Sequence, residues 1–267
     1  MEGVSLDGWT IRFTGYLPVD DRMATRLARV CAELERLPDS AFEVNEEARL
    51  ITVDYAQASA LLGWSGPARG AIRVADRIVV VPPGEGSPPE PDDILLAIDP
   101  GAVFGSGLHE STCLCLRALE RHAKAGSTAV DFGTGSGILA IAAGKLGLAR
   151  VIAVDADPEA VAIAAENVRR NQVAEIVEVR LAASLESVSS PVDLVIANLT
   201  GALLAEHLGS IARVLGSAGV LIASGMTDHD VGEVTQTLSH DGFRIIEELR
   251  EGRWVALVAL RTTALRP

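Results

Sequence analysis

The chain predicts an α/β fold: a doubly wound, mostly parallel sheet with a C-terminal antiparallel hairpin, preceded by a small α+β N-terminal domain. Three observations carry that reading. From residue 94 onward, short apolar runs alternate with stretches of helical period, the pattern of consecutive βα units. One run, residues 128–132, leads straight into Gly133, Gly135 and Gly137 and then into a helical stretch over 138–146. The next run, 151–154, ends in a carboxylate, Asp155. A strand, a glycine loop, a helix and a second strand ending in an acid make the layout of a nucleoside crevice on such a sheet.

The elements follow in order. Residues 9–13 alternate as a strand. Residues 20–37 form an amphipathic helix with Asp20 or Asp21 as N-cap and Met23, Leu27, Val30, Cys31 and Leu34 on its apolar face. Residues 41–44 and 50–53 read as strands around a polar turn, 58–62 as a short helix and 77–81 as a further strand. Five prolines and two glycines within 82–91 exclude a helix or an inner strand there. The expected organisation is therefore a domain over 1–81, a linker over 82–93 and a second domain over 94–267. In the second domain, strands are expected over 94–98, 128–132, 151–154, 177–181, 193–197 and 219–223. Helices are expected over 110–123, 138–146, 158–170 and 231–239, with Pro158 suited to a first turn. Residues 243–248 and 255–260 form a hairpin turning at Glu251-Gly252, which inserts one antiparallel strand.

Bulk properties narrow the function. A net charge of −13 opposes direct contact with a nucleic-acid backbone and favours a basic protein partner or a cationic substrate. No apolar run reaches the roughly 18 residues of a membrane span, and the short acidic stretch 1–7 does not resemble a signal peptide. The three cysteines, Cys31, Cys113 and Cys115, have the spacing of neither a disulfide framework nor a zinc site. Cys113 and Cys115 fall in an apolar helical run and read as small core residues. A reducing cytoplasm is the expected location, and no metal is expected.

The glycine spacing discriminates among cofactors. A dinucleotide site has G-x-G-x-x-G, with a helix N-terminus facing a pyrophosphate. Here Asp131 precedes glycines on alternate positions, and Asp155 follows Gly133 by 22 residues. S-adenosylmethionine offers a ribose diol and a sulfonium cation and carries no phosphate. Glycines at 133 and 135 let the backbone approach it, Asp155 suits its diol, and an acidic loop suits its charge. The loop 99–112 is the second signal. Read functionally, it is a lid in which Thr112 lies near the cofactor and Phe104 shields the methyl group. Read structurally, it is a helix entry capped by Ser111 or Thr112. Asn198 ends an apolar strand at the crevice edge, where its carboxamide can orient an incoming amine; the plainer reading is a turn residue. Asp157 reads as the N-cap of the helix at Pro158. His109 is read as packing the loop, with general-base catalysis the lesser alternative.

The stretch from Asp99-Pro100-Gly101 to His109, the loop Asp131-Phe132-Gly133-Thr134-Gly135-Ser136-Gly137, the segment Val154–Pro158 and Ala197-Asn198-Leu199 together resemble the PrmA family. Its members are bacterial methyltransferases that trimethylate ribosomal protein L11. The resemblance covers roughly residues 71–260. It implies a class I methyltransferase fold and S-adenosylmethionine held at Thr112, Gly133, Asp155 and Asn198. It also implies methyl transfer to lysine amino groups of a ribosomal protein of the large subunit. Gly105-Ser106-Gly107 stands where the family usually has Gly-Thr-Gly. The N-terminal domain looks shorter than the family's substrate-recognition domain, so a small-molecule amine acceptor stays open as an alternative. A non-enzymatic module with a vestigial pocket is a further alternative, and a nicotinamide oxidoreductase a weaker one.

Overall fold

The computed structural model describes residues 4–6, 9–11, 44–45, 50–51, 71–81, 90–99, 109–188 and 191–262. The chain forms two compact units, Met1–Arg69 and Gly70–Pro267. In the first unit β1 (Val4–Leu6) pairs antiparallel with β2 (Trp9–Ile11), and β3 (Val44–Asn45) with β4 (Leu50–Ile51). The expected helices over 20–37 and 58–62 lie outside the described residues.

In the second unit β5 (Ile72–Arg73), β6 (Ile78–Val81) and β7 (Ile94–Ala97) form a three-stranded sheet in which β6 and β7 run parallel. These two strands flank the proline-rich segment. Both strands belong to the second unit, which begins at Gly70. Apolar pairing joins them: all four residues of β6 are buried, and they lie in register with β7.

The main sheet has seven strands: β8 (Thr128–Phe132), β9 (Arg150–Asp155), β10 (Val177–Leu181), β11 (Val192–Asn198), β12 (Leu215–Thr227), β13 (Phe243–Glu251) and β14 (Trp254–Arg261). Their spatial order is β10-β9-β8-β11-β12-β14-β13. All neighbours are parallel except those of β14, the antiparallel strand that the hairpin inserts. The connection order reverses between β8 and β11, so the ligand crevice of a doubly wound sheet opens at their carboxyl ends.

Alternation along these strands builds two cores. Ala129, Ile196 and Ile222 face one side with α1 (Glu110–His122), α2 (Ile138–Lys145) and Val168 of α3 (Pro158–Arg170). Val130, Val195, Ala197 and Leu221 face the other, with α4 (Gly201–Val214) and α5 (Val231–His240). The sequence reading names no element between residues 197 and 219, yet α4 fills that gap. Thr200 caps it, accepting from the Leu203 amide, and Leu204, Leu208 and Ile211 supply its buried stripe. Cys113 and Cys115 are buried in α1, and burial pushes the Cys113 thiol up to about 11, which makes it an inert core residue.

The β12–β14 ladder shifts register between Ala223 and Met226, and Gly225 lies in that irregularity at φ +84°. A Cβ there would stand 2.4 Å from the Leu199 carbonyl oxygen and 2.9 Å from its amide nitrogen. At Gly126, φ is also positive, +80°, but nothing lies within 4 Å. Gly126→Ala is therefore expected to cost about 1 kcal/mol, the conformational strain alone. Gly225→Ala is expected to cost about 3 kcal/mol or more, because strain and overlap add. Urea denaturation of both variants measures the difference, and equal losses would show that Leu199 does not press on Gly225.

Candidate active site at the carboxyl edge of the sheet

The loop between β8 and α2 is anchored from below by one carboxylate. Asp131 is fully buried. Its Oδ2 accepts from the Thr134 hydroxyl at 2.6 Å and from the Ala140 amide at 3.1 Å, tying the strand to its loop and to the helix beyond. Its Oδ1 has no hydrogen-bond partner. Burial pushes this carboxyl up to about 7, against the pull of those two donors, and the nearby Asp155 adds to the rise.

The loop itself needs glycine. Gly133, Gly135 and Gly137 have φ of +76°, +54° and +84°, a region that side chains disfavour. Its amides are largely committed to the protein. Gly133 and Thr134 donate to the Val154 carbonyl, Gly135 donates to Asp155 Oδ2 at 2.8 Å, and Gly137 donates to the Thr134 carbonyl. Those four N–H groups are not free to cradle a pyrophosphate, which argues against the dinucleotide alternative.

Asp155 ends β9 at the rim. Oδ2 takes the Gly135 amide and Oδ1 the Asp157 amide at 3.0 Å. A carboxylate has about four acceptor sites, so two remain for a pair of hydroxyls. Asp157 caps α3 by accepting from the Glu159 amide, the role expected of it.

Asn198 ends β11, beside β8. Its Nδ2 donates to the Thr112 hydroxyl at 3.3 Å, and its Oδ1 is buried without a partner. Thr112 lies in the first turn of α1, 1% exposed. Asp131 Oδ1 and Asn198 Oδ1 are the two orphaned buried side-chain polar atoms among the described residues. Both stand on the α1 side of the sheet, near the carboxyl ends of adjacent strands. Unpaired buried acceptors are costly, and a donor-bearing ligand in the crevice relieves that cost.

The expected cap of α1 needs correction. Ser111 and Thr112 are buried inside the first turn, and His109 is the N-cap, its Nδ1 accepting from the Ser111 amide at 3.3 Å. The His109 ring meets Trp254 edge-on, with centroids 4.5 Å apart, and burial holds its pKa below the usual histidine value. That is the packing role of the two read from the sequence. Phe104 lies outside the described residues.

Two residues that the sequence reading passes over hold the site together. Asn167 of α3 is fully buried; its Oδ1 accepts from the Asp99 amide, and its Nδ2 donates to the carbonyls of Asp99 and Ser136. Asn171 makes the same pair of bonds with Ala97. Their signal is two carboxamides, four positions apart, on the buried stripe that Ala160, Ala164 and Val168 define. Among the described residues, no cluster of three or more His, Cys, Asp or Glu is arranged to hold a metal, and no helix is long and apolar enough to cross a membrane.

The buried acid generates a prediction. Asp131 in the folded protein binds its proton more tightly than an unfolded aspartate near 3.9. The stabilisation linked to that proton is complete below about 4 and is lost as pH rises towards about 7. Asp131→Asn removes the titration. Between pH 5 and pH 8 wild type should lose stability relative to this variant in urea denaturation; parallel pH profiles would show that Asp131 titrates normally.

Comparison with known proteins finds relatives along most of the chain. The family model PrmA, ribosomal protein L11 methyltransferase, matches residues 67–262. A ribosomal protein L11 methyltransferase of Pelotomaculum thermopropionicum is 42% identical over 264 residues, covering 97% of this chain and 82% of its own. The protein of the same description from Heliobacterium modesticaldum is 38% identical over 257 residues, covering 94% and 78%. A crystal structure of a ribosomal protein L11 methylase from Lactobacillus delbrueckii subsp. bulgaricus superposes with a TM-score of 0.68 at 32% identity, covering 73% of this chain and all of that one.

Proposed function

The chain belongs to the PrmA family of ribosomal protein L11 methyltransferases, and from that premise we propose that it methylates lysine amino groups of ribosomal protein L11. The observation that carries the reading is the conjunction of that kinship with a phosphate-averse glycine loop and an acid, Asp155, at its rim. S-adenosylmethionine supplies an electrophilic methyl group on sulfonium. Asp155 accepts the ribose hydroxyls with its two remaining acceptor positions. Gly133 and Gly135 bring the backbone alongside the nucleoside. Asp131, beneath, sets the loop's position through Thr134 and Ala140.

On the acceptor side, Thr112 holds the Asn198 carboxamide, whose Oδ1 accepts an N–H of the neutral amine and aims the nitrogen lone pair. Orientation and exclusion of water are the main demands, since the methyl group arrives activated. The lysine ammonium loses its proton to water before attack, so His109 is free to remain a cap. The acidic surface, with a net charge of −13, draws in a basic protein partner.

Purified chain incubated with methyl-labelled S-adenosylmethionine and recombinant L11 should place label on L11 lysines, read by mass spectrometry of the digest. Label appearing only on added small amines would replace the protein acceptor by the small-molecule one. By titration calorimetry, Asp155→Ala should weaken cofactor binding by about tenfold or more, the worth of hydrogen bonds to a charged group. Unchanged affinity would place the ribose elsewhere. Asn198→Ala should lower kcat by about tenfold or more while cofactor affinity moves much less. Equal losses in both would make Asn198 a cofactor ligand and nothing else.

A further inference from the structure

The residue after Asn198 is held in place by two glycines. The Leu199 amide donates to the Ser224 carbonyl at 2.9 Å, and its backbone presses on Gly225, where a Cβ would come within 2.4 Å of the Leu199 oxygen. Thr200 begins the capped turn of α4 directly afterwards, so the backbone on both sides is fixed. The Leu199 side chain reaches across to the cofactor loop: its Cδ2 lies 2.6 Å from the position a Cβ would take on Gly133. Gly133 is thus open for a leucine from the neighbouring strand, besides its backbone need. Leu199 is also only partly buried. It forms an apolar bridge between the strand that presents Asn198 and the loop that approaches the methyl donor.

We propose that Leu199 is a specificity-determining residue: its side chain walls the space beside Asn198 and sets how bulky an acceptor amine, and so how heavily methylated a one, can be methylated. The inference rests on the methyltransferase reading given above. In each round the acceptor ammonium first gives one proton to water, the neutral nitrogen's lone pair bonds to the methyl carbon, and the carbon–sulfur bond breaks with its electron pair passing to sulfur; the third round leaves a quaternary nitrogen with no proton to lose. Each added methyl enlarges the next acceptor, while the wall stays the same size.

Shortening the wall should therefore favour later rounds over the first. With L11 as acceptor and mass spectrometry resolving mono-, di- and trimethyl products, Leu199→Ala should raise the ratio of third-round to first-round rate by at least threefold. Its kcat for the first round should fall, with cofactor affinity by calorimetry within threefold of wild type. Leu199→Val should lie between the two, and it decides the matter if the alanine variant does not bind cofactor. Unchanged round-to-round ratios in variants that bind cofactor would overturn the proposal alone. Wild type inert towards L11 would overturn it together with the function on which it rests.

Discussion

The structure around the crevice depends on burying one carboxylate in a place where it is only half satisfied. Asp131 sits on β8, beside the central strand, and through one oxygen it fixes both the start of the glycine loop and the first turn of the helix that follows. Its other oxygen faces no donor. In a fully dry core such an arrangement would be selected against, because an unmet buried acceptor costs about 1–3 kcal/mol. The acid nevertheless ties the loop to its strand and helix, and its proton affinity is far from that of a surface acid.

A second set of polar contacts comes from α3. Asn171 clamps Ala97 at the end of β7 and Asn167 clamps Asp99 two residues on, and Asn167 also reaches the glycine loop through the Ser136 carbonyl. One side chain therefore joins the entry of the 100–108 segment to the cofactor loop. Leu199 joins that same loop to the strand of Asn198 by apolar contact. The glycine loop and the end of β11 are thus each tied to neighbours distant in sequence. Side chains in a packed interior have few alternative positions, so these ties fix the loop and the strand end closely.

Much of the fold and part of the site were legible in the sequence, for identifiable reasons. Strand β8, helix α3 and strand β10 coincide with their expected limits: the apolar run of β8 stops at Gly133, Asp157 and Pro158 open α3, and β10 alternates as Val-Glu-Val-Arg-Leu. Helix α4 was readable from Thr200 and the Leu204, Leu208, Ile211 spacing, but Gly201 and Gly209 weaken its propensity signal. The pairing of β6 with β7 was not readable, since it joins segments on either side of a proline-rich stretch and only tertiary packing decides it. The His109 cap was hidden because serine and threonine, the stronger capping types, stand two and three positions later; burial of Ser111 and Thr112 removes them from that role. Asp131, Asp155 and Asn198 could be singled out from strand ends alone. Asn167 and Leu199 could not, because what matters about each is a neighbour distant in sequence.

The choice of cofactor class turns on where the loop's N–H groups point. A phosphate-binding loop leaves several amides free to converge on an anion. In this chain Gly133, Thr134, Gly135 and Gly137 each give theirs to a protein oxygen, and one of those oxygens belongs to Asp155 itself. The acid at the rim is therefore oriented by the loop it faces. Two acids, one beneath the loop and one beside it, with no lysine or arginine within the stretch 128–140, give a site poor in positive charge. A pyrophosphate would meet repulsion and few donors, whereas a sulfonium and an ammonium on a ribose frame meet acceptors. Glycine spacing distinguishes the two classes because it decides whether the backbone donates to the ligand or to its own acids.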